Sequence, residues 1–224
     1  MNSSELITLV DFSSFCLALN HGQAQLIDVR APVEFIEGSI PHSLNSPILN
    51  DEERTIVGTI YKQKGPAAAV EAGHQLVSGV IKENRVQAWQ SLIQKNSFTV
   101  ITCFRGGLRS KLTQDWLADV GFKVPRIQGG YKALRQFLRN EIDQFIGQTQ
   151  FLVITGATGS AKTRLLRALK NQRPLLDLEL AANHRGSAFG GYQTPQPSQV
   201  NFENNLSFQI LELKQKGQFS PEDF

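Results

Sequence analysis

The stretch that most constrains the fold is Phe98-Thr-Val-Ile-Thr102 running into Cys103-Phe-Arg-Gly-Gly-Leu-Arg109 and Ser110. An apolar, β-branched run ends at a cysteine, two adjacent glycines permit a tight loop, and an amphipathic segment with Leu112, Trp116, Leu117 and Val120 follows. The pattern predicts strand, loop and helix. A loop wound round Cys103 through Phe104, Arg105, Gly106, Gly107, Leu108 and Arg109 can turn backbone N–H groups toward the sulfur, and a helix N-terminus adds the positive end of its dipole. With Arg105 and Arg109 close by, that setting favours the thiolate, the nucleophilic form of cysteine. A buried structural cysteine at a strand end is the plainer alternative.

Other segments repeat the strand-then-helix rhythm. Gln25 to Arg30 reads as a short strand delivering Asp28 and Arg30, and Lys123 to Ile127 as another, before Gly129-Gly-Tyr131 turns into a helix over Lys132 to Ile146. That helix has apolar positions 134, 137, 138, 142, 145 and 146, leaving Lys132, Arg135 and Arg139 outside. Asp11 is placed to cap a short helix with the apolar face Phe12, Phe15, Cys16 and Leu19, so Cys16 reads as core. Asp28, Arg30 and Glu34 read as one structural ion-pair group, because charges at a buried strand end need partners. Between Pro47 and Gly79 a polar stretch with Tyr61, Lys62 and Lys64 leads into a helix from Ala67 towards Val77; these lysines either touch RNA phosphate or are simply solvated. A further helix is predicted over about Val86 to Lys95. The alternation implies an α/β fold with a doubly wound parallel sheet, whose ligands lie outside the carboxyl ends of the strands. Cys103 is at such an end.

Gly147-Gln-Thr-Gln150 is short and polar, and divides a domain over 1–147 from one over 148–224, which a length of 224 residues accommodates. After it, Phe151 to Thr155 reads as a strand, and Gly156, Ala157, Thr158, Gly159, Ser160, Ala161, Lys162 and Thr163 open a helix carrying Leu165, Leu166 and Leu169. That is the context of a P-loop, in which backbone N–H groups cradle phosphates, lysine reaches them and threonine can hold magnesium. Ala161 stands where the pattern asks for glycine, at a cost in crowding or backbone strain. Pro174 to Glu179 reads as a strand ending in acids; Asp177 is either a water-mediated magnesium ligand or a surface carboxylate. His184, Arg185 and, on the earlier helix, Arg139 are candidate anion or RNA contacts, with a capping histidine, a packed arginine and a solvated helix face as the alternatives. A last helix is predicted from about Asn201 to Lys216.

Composition narrows the classes. Hydrophobic residues at 41% and charged residues at 19% describe a globular chain. A net charge of +3 is compatible with an RNA partner without requiring one. Two cysteines and four histidines form no disulfide framework and no metal-ligand spacing, which suits a reducing cytoplasm. No signal-peptide pattern or membrane-length apolar run is present.

Cys103-Phe-Arg-Gly-Gly-Leu-Arg-Ser110 resembles the active-site loop of the rhodanese superfamily, and its wording is closest to the tRNA 2-selenouridine synthases. Asp28-Val-Arg30 and Gly38-Ser-Ile-Pro41-His42 are similar to rhodanese-like steps, departing at Ser39 and His42. The Pro47 to Gly79 segment and Asn183-His-Arg-Gly-Ser-Ala-Phe-Gly190 resemble the synthases again. The Cys103-x5-Arg109 spacing is shared with cysteine phosphatases, and a plain sulfurtransferase or a non-catalytic RNA-binding remnant are the other readings. The resemblance implies a rhodanese-like domain followed by a partial P-loop α/β domain, in an enzyme acting on wobble 2-thiouridine of tRNA. It implies geranylation of the sulfur from geranyl diphosphate, then replacement of geranylthio by selenium from selenophosphate. These are co-substrates, with no tightly bound cofactor. Cys103 would carry selenium, and Gly156 to Thr163 would serve the diphosphate. Members of that family continue well past this length, so the second half is expected to be a shortened P-loop domain with an unfinished sheet.

Overall fold

The computed structural model describes residues 6–7, 11–93, 98–157, 159–169, 172–186 and 190–217. Among them five short strands form one parallel sheet: β1 (Leu6–Ile7), β2 (Gln25–Asp28), β3 (Leu44–Asn45), β4 (Thr99–Thr102) and β5 (Arg126–Ile127), in the order β1-β5-β4-β2-β3. Every residue of β2 and β4 is buried, as expected of strands covered on both faces. Their register sets Asp28 beside Thr102, so both strands end at the same level, just before Cys103. Alternate residues serve opposite faces: Ile27 and Ile101 join Trp89, Trp116 and Leu117 in one core, while Leu26 and Val100 are fully buried on the other side.

Helices α1 (Phe12–Asn20), α2 (Pro32–Glu37), α3 (Asp51–Lys64), α4 (Pro66–Leu76), α5 (Gly79–Ile93), α6 (Leu108–Asp119) and α7 (Gly130–Gln148) alternate with the strands. In α1 the expected face Phe12, Phe15, Cys16 and Leu19 is buried, but Asp11 makes no side-chain cap hydrogen bond, its backbone being already helical. The polar stretch after Pro47 is itself mostly helical, as α3. Asn50 and Glu53 close a reciprocal capping box, at 2.8 and 2.7 Å, and Asp51, Glu52 and Glu53 at its start oppose Lys62 and Lys64 at its end, favourably for the helix dipole. Gly65 separates it from α4, which starts with Pro66, and the two helices pack together. Helix α5 starts at Gly79, earlier than the apolar periodicity indicates, and the Lys95 end of that prediction lies outside the described residues. Its Trp89 stacks on Trp116 and donates to the Ser46 carbonyl at 2.9 Å.

The chain divides into two compact units, Met1–Leu134 and Arg135–Phe224. In the second, α8 (Lys162–Leu169), α9 (Leu178–Ala181) and α10 (Gln199–Gln215) follow α7. Phe145, Ile210 and Leu213 form its core, and Ser207 Oγ donates to the Leu138 carbonyl at 2.9 Å. Several expectations are corrected here. Helix α7 runs through Gly147 and Gln148, half of the expected linker, while Ile146 is exposed and Arg135 is drawn into an ion pair with Glu203 instead of facing outward. Residues 151–155 are not a strand: Leu152 and Val153 are 94% and 73% exposed, and no described segment offers them a ladder. Extended backbone becomes a strand only when its N–H and C=O groups find a neighbour. Residues 174–177 likewise form no strand, and Leu178 and Glu179 begin α9.

Candidate active site

Central strand β4 delivers Cys103 at its carboxyl end, 3% exposed, with its Sγ donating to Ser110 Oγ at 3.2 Å. Ser110 Oγ donates in turn to the Gly107 carbonyl at 3.1 Å. Phe104 to Gly107 form the loop, and α6 begins at Leu108 with no side-chain cap on its first N–H groups. The carbonyls of Cys103 and Phe104 accept from Tyr131 N and Lys132 N, at 2.8 and 3.0 Å, and Arg126 Nη1 donates to the Gly106 carbonyl. The loop is thus fastened from behind by the first turn of α7 and by β5. This fastening requires glycines: Gly106 and Gly130 both have φ near +65°, and a Cβ on Gly130 would collide with the Cys103 carbonyl and the Gly106 nitrogen.

Charge around the loop is organised by a partnership the sequence did not suggest. Arg109 donates to both oxygens of Glu34, at 2.6 and 3.1 Å, and Glu34 also accepts from Ala31 N. Burial pushes the Glu34 carboxyl upward, but the hydrogen bond and charge of Arg109, the Ala31 N–H and Arg54 outweigh it and hold it below its ordinary value. Burial pulls Arg109 down, and Glu34, with smaller contributions from Cys103 and Asp28, more than reverses this. The expected group of Asp28, Arg30 and Glu34 is therefore split. Asp28 and Arg30 form a buried pair at 2.6 Å, while Glu34 gives Arg30 only its backbone carbonyl. The Arg30 guanidinium also lies 3.8 Å over the ring of Tyr131, which stacks on Phe104. Arg105 is exposed and sits over Phe104. A cavity of about 780 Å³ opens beside Cys103, lined by α3, α4, the loop and α6.

In the second unit the Gly156 to Thr163 loop precedes α8 as expected, Thr158 lying outside the described residues. Lys162 Nζ donates to the carbonyls of Gly156 and Ala157, at 2.7 and 3.0 Å, and Ser160 N donates to the Ala157 carbonyl. Gly159 and Ala161 both have positive φ, +83° and +61°, so the alanine occupies backbone that favours glycine. Thr163 Oγ1 donates to Glu179 at 3.2 Å, whereas Asp177, the acid expected near magnesium, caps α9 by accepting from Leu180 N at 2.9 Å. Glu179 is thus the carboxylate beside the loop, two residues past the one the strand reading favoured. His184 Nδ1 accepts from Gly186 N at 2.9 Å, Arg185 lies over Tyr192 and donates to the Gly191 carbonyl, and Arg139 is exposed on α7. Among the described residues no cluster of three or more His, Cys, Asp or Glu could hold a metal ion, and no helix is long and apolar enough to cross a membrane.

A parallel sheet whose central strand ends in a cysteine loop fastened by a glycine pair defines a rhodanese-like domain. The family model for that domain matches residues 15–137, and the model described as the tRNA 2-selenouridine synthase AAA domain matches residues 149–223. The chain is 53% identical over 204 residues to the tRNA 2-selenouridine synthase of Nitrosomonas europaea, covering 91% of this chain and 53% of that protein. The Nitrosomonas eutropha synthase is 54% identical with the same coverage. A crystal structure of the N-terminal domain of a Clostridium difficile 630 protein, described as ATP/GTP binding, matches with TM-score 0.51 and 32% identity over 60% of this chain and 98% of that one. The chain belongs to the tRNA 2-selenouridine synthase family, and it spans about half the length of the curated relatives it matches.

Proposed function

We propose that this chain acts in tRNA modification, converting wobble 2-thiouridine to 2-selenouridine through S-geranyl-2-thiouridine, with Cys103 carrying selenium that comes from selenophosphate. Geranyl diphosphate supplies the geranyl group, and the Gly156 to Thr163 loop serves its diphosphate. The observation that carries the reading is the pairing, in one chain, of the Cys103 loop with a segment matching the synthase AAA domain. A cysteine held at a strand end, hydrogen-bonded to Ser110 and bordered by a helix N-terminus, suits a carrier of a soft chalcogen. A phosphatase is disfavoured because Arg109, which would have to close the phosphate cradle, is committed to Glu34 through both oxygens. We infer a cytoplasmic location, supported by the tRNA substrate and by two unbridged cysteines.

The test is mass spectrometry of nucleosides from 2-thiouridine-bearing tRNA incubated with the chain, selenophosphate and geranyl diphosphate. Cys103→Ala is expected to lose 2-selenouridine while retaining any S-geranyl-2-thiouridine. Undiminished 2-selenouridine in that variant would remove Cys103 from the reaction.

A further inference from the structure

The cavity beside Cys103 is larger and more apolar than the carriage of one selenium atom requires. Its volume is about 780 Å³, and its lining includes three helices whose contributions are spaced by one turn. Val57 and Tyr61 come from α3, Val70 from α4, and Leu108, Leu112 and Trp116 from α6. Residues four apart lie one above another on a helix, so α3 and α6 each present a continuous apolar stripe to the cavity. Tyr61, Val70 and Leu108 are 58%, 37% and 47% exposed, so three large apolar side chains stand uncovered around the cavity mouth. A cradle for a small anion needs inward N–H groups and has no use for such stripes. Positive side chains share the lining: Arg54, Lys62 and Arg105. That combination fits an aliphatic chain attached to a nucleotide, with the chain along the stripes and flanking phosphates at the basic residues.

We propose that the cleft between α3, α4 and α6 binds the branched aliphatic chain of an S-alkylated nucleoside, holding the alkylthio group beside Cys103. The proposal rests on the reading of Cys103 above and deepens it, by assigning the chain to the rhodanese-like unit instead of to the phosphate loop. The α3–α4 pair is then a specificity element: it separates alkylated from unalkylated thiouridine.

Titration calorimetry of the full chain with S-geranyl-2-thiouridine and S-methyl-2-thiouridine nucleosides tests it. Burial of the additional carbons is expected to make the geranyl compound bind at least about a hundredfold tighter. Val70→Asp, which puts a carboxylate on the apolar wall, is expected to weaken geranyl-nucleoside binding about tenfold or more and leave the S-methyl compound unchanged, while Val70→Thr stays near the parent. Tyr61→Asp, at a more exposed position on α3, repeats the test if Val70→Asp does not fold. Equal affinity for the two nucleosides overturns the proposal, as does a geranyl preference that survives the folded aspartate variant. Formation of 2-selenouridine by the parent and its loss in Cys103→Ala, read by nucleoside mass spectrometry, is independent of these titrations: a Cys103-dependent product without geranyl preference sinks the cleft and spares the role of Cys103, and the reverse result does the opposite.

Discussion

The residue that decides the electrostatics of the cysteine loop is Glu34. It stands 75 positions before Arg109 in sequence, and nothing in its surroundings, Pro32-Val-Glu34-Phe35, points to that arginine. The neighbouring Asp28-Val-Arg30 step was readable because its two charges sit at the end of one strand; the long-range pair needed the fold. Glu34→Gln leaves Arg109 largely buried without its counter-charge, and is expected to cost about 1–3 kcal/mol in urea unfolding. The pH dependence has a definite sign. Because the folded carboxyl titrates below its ordinary value, Glu34 contributes stability above the unfolded value of about 4.3, and that contribution disappears as pH falls through the lower folded value. Thermal melts of the parent between neutral pH and pH 3 should therefore lose more stability than melts of Glu34→Gln. Parallel curves would show that the pair carries no such linkage.

At the scale of elements, the strand-loop-helix around Cys103 was legible because three local signals coincide: a β-branched run, a glycine pair and an amphipathic helix. The second glycine pair is legible only as a turn. Its role as the floor under the cysteine loop appears when Gly130 is seen against the Cys103 carbonyl and Gly106 nitrogen. Gly130→Ala should cost at least roughly 1–3 kcal/mol from left-handed backbone alone, and should impair Cys103 chemistry beyond the loss of folded protein. Thermal melts together with iodoacetamide labelling of Cys103, read by peptide mass, check both; labelling at the parent rate in folded protein would separate the glycine from the loop. Helix α3 was missed because charged and polar residues dilute its apolar periodicity, and it is set by its capping box and end charges. Residues 151–155 misled in the opposite direction. Their apolar run has strand propensity, but propensity cannot supply the neighbour that a strand needs.

Across the whole molecule, the described strands all lie within the first unit, and the described residues of the second form helices, turns and segments without regular secondary structure. Limited proteolysis should cut first within residues 149–157, where apolar side chains are exposed and backbone ladders absent among the described residues, leaving a resistant fragment that contains Cys103. Early cleavage inside β2 or β4 would contradict that order of stability. If tRNA is bound, its affinity should fall steeply with salt, and Arg139→Ala and Arg185→Ala, both at exposed arginines, should each lower the slope of log affinity against log salt by about one. Electrophoretic mobility shifts at several salt concentrations would show this, and an affinity indifferent to salt would remove tRNA as a partner. The uncovered pair Leu152-Val153, next to a Phe151 that packs on Phe145, has a further consequence for the chain as a population. Exposed apolar chain with no ladder partner among the described residues can pair with a like segment, so copies can satisfy in one another what each lacks alone. Loss of usable protein on storage then becomes a second-order process: halving the concentration would slow its initial rate about fourfold, a kinetic order that heat-driven unfolding of single molecules does not share.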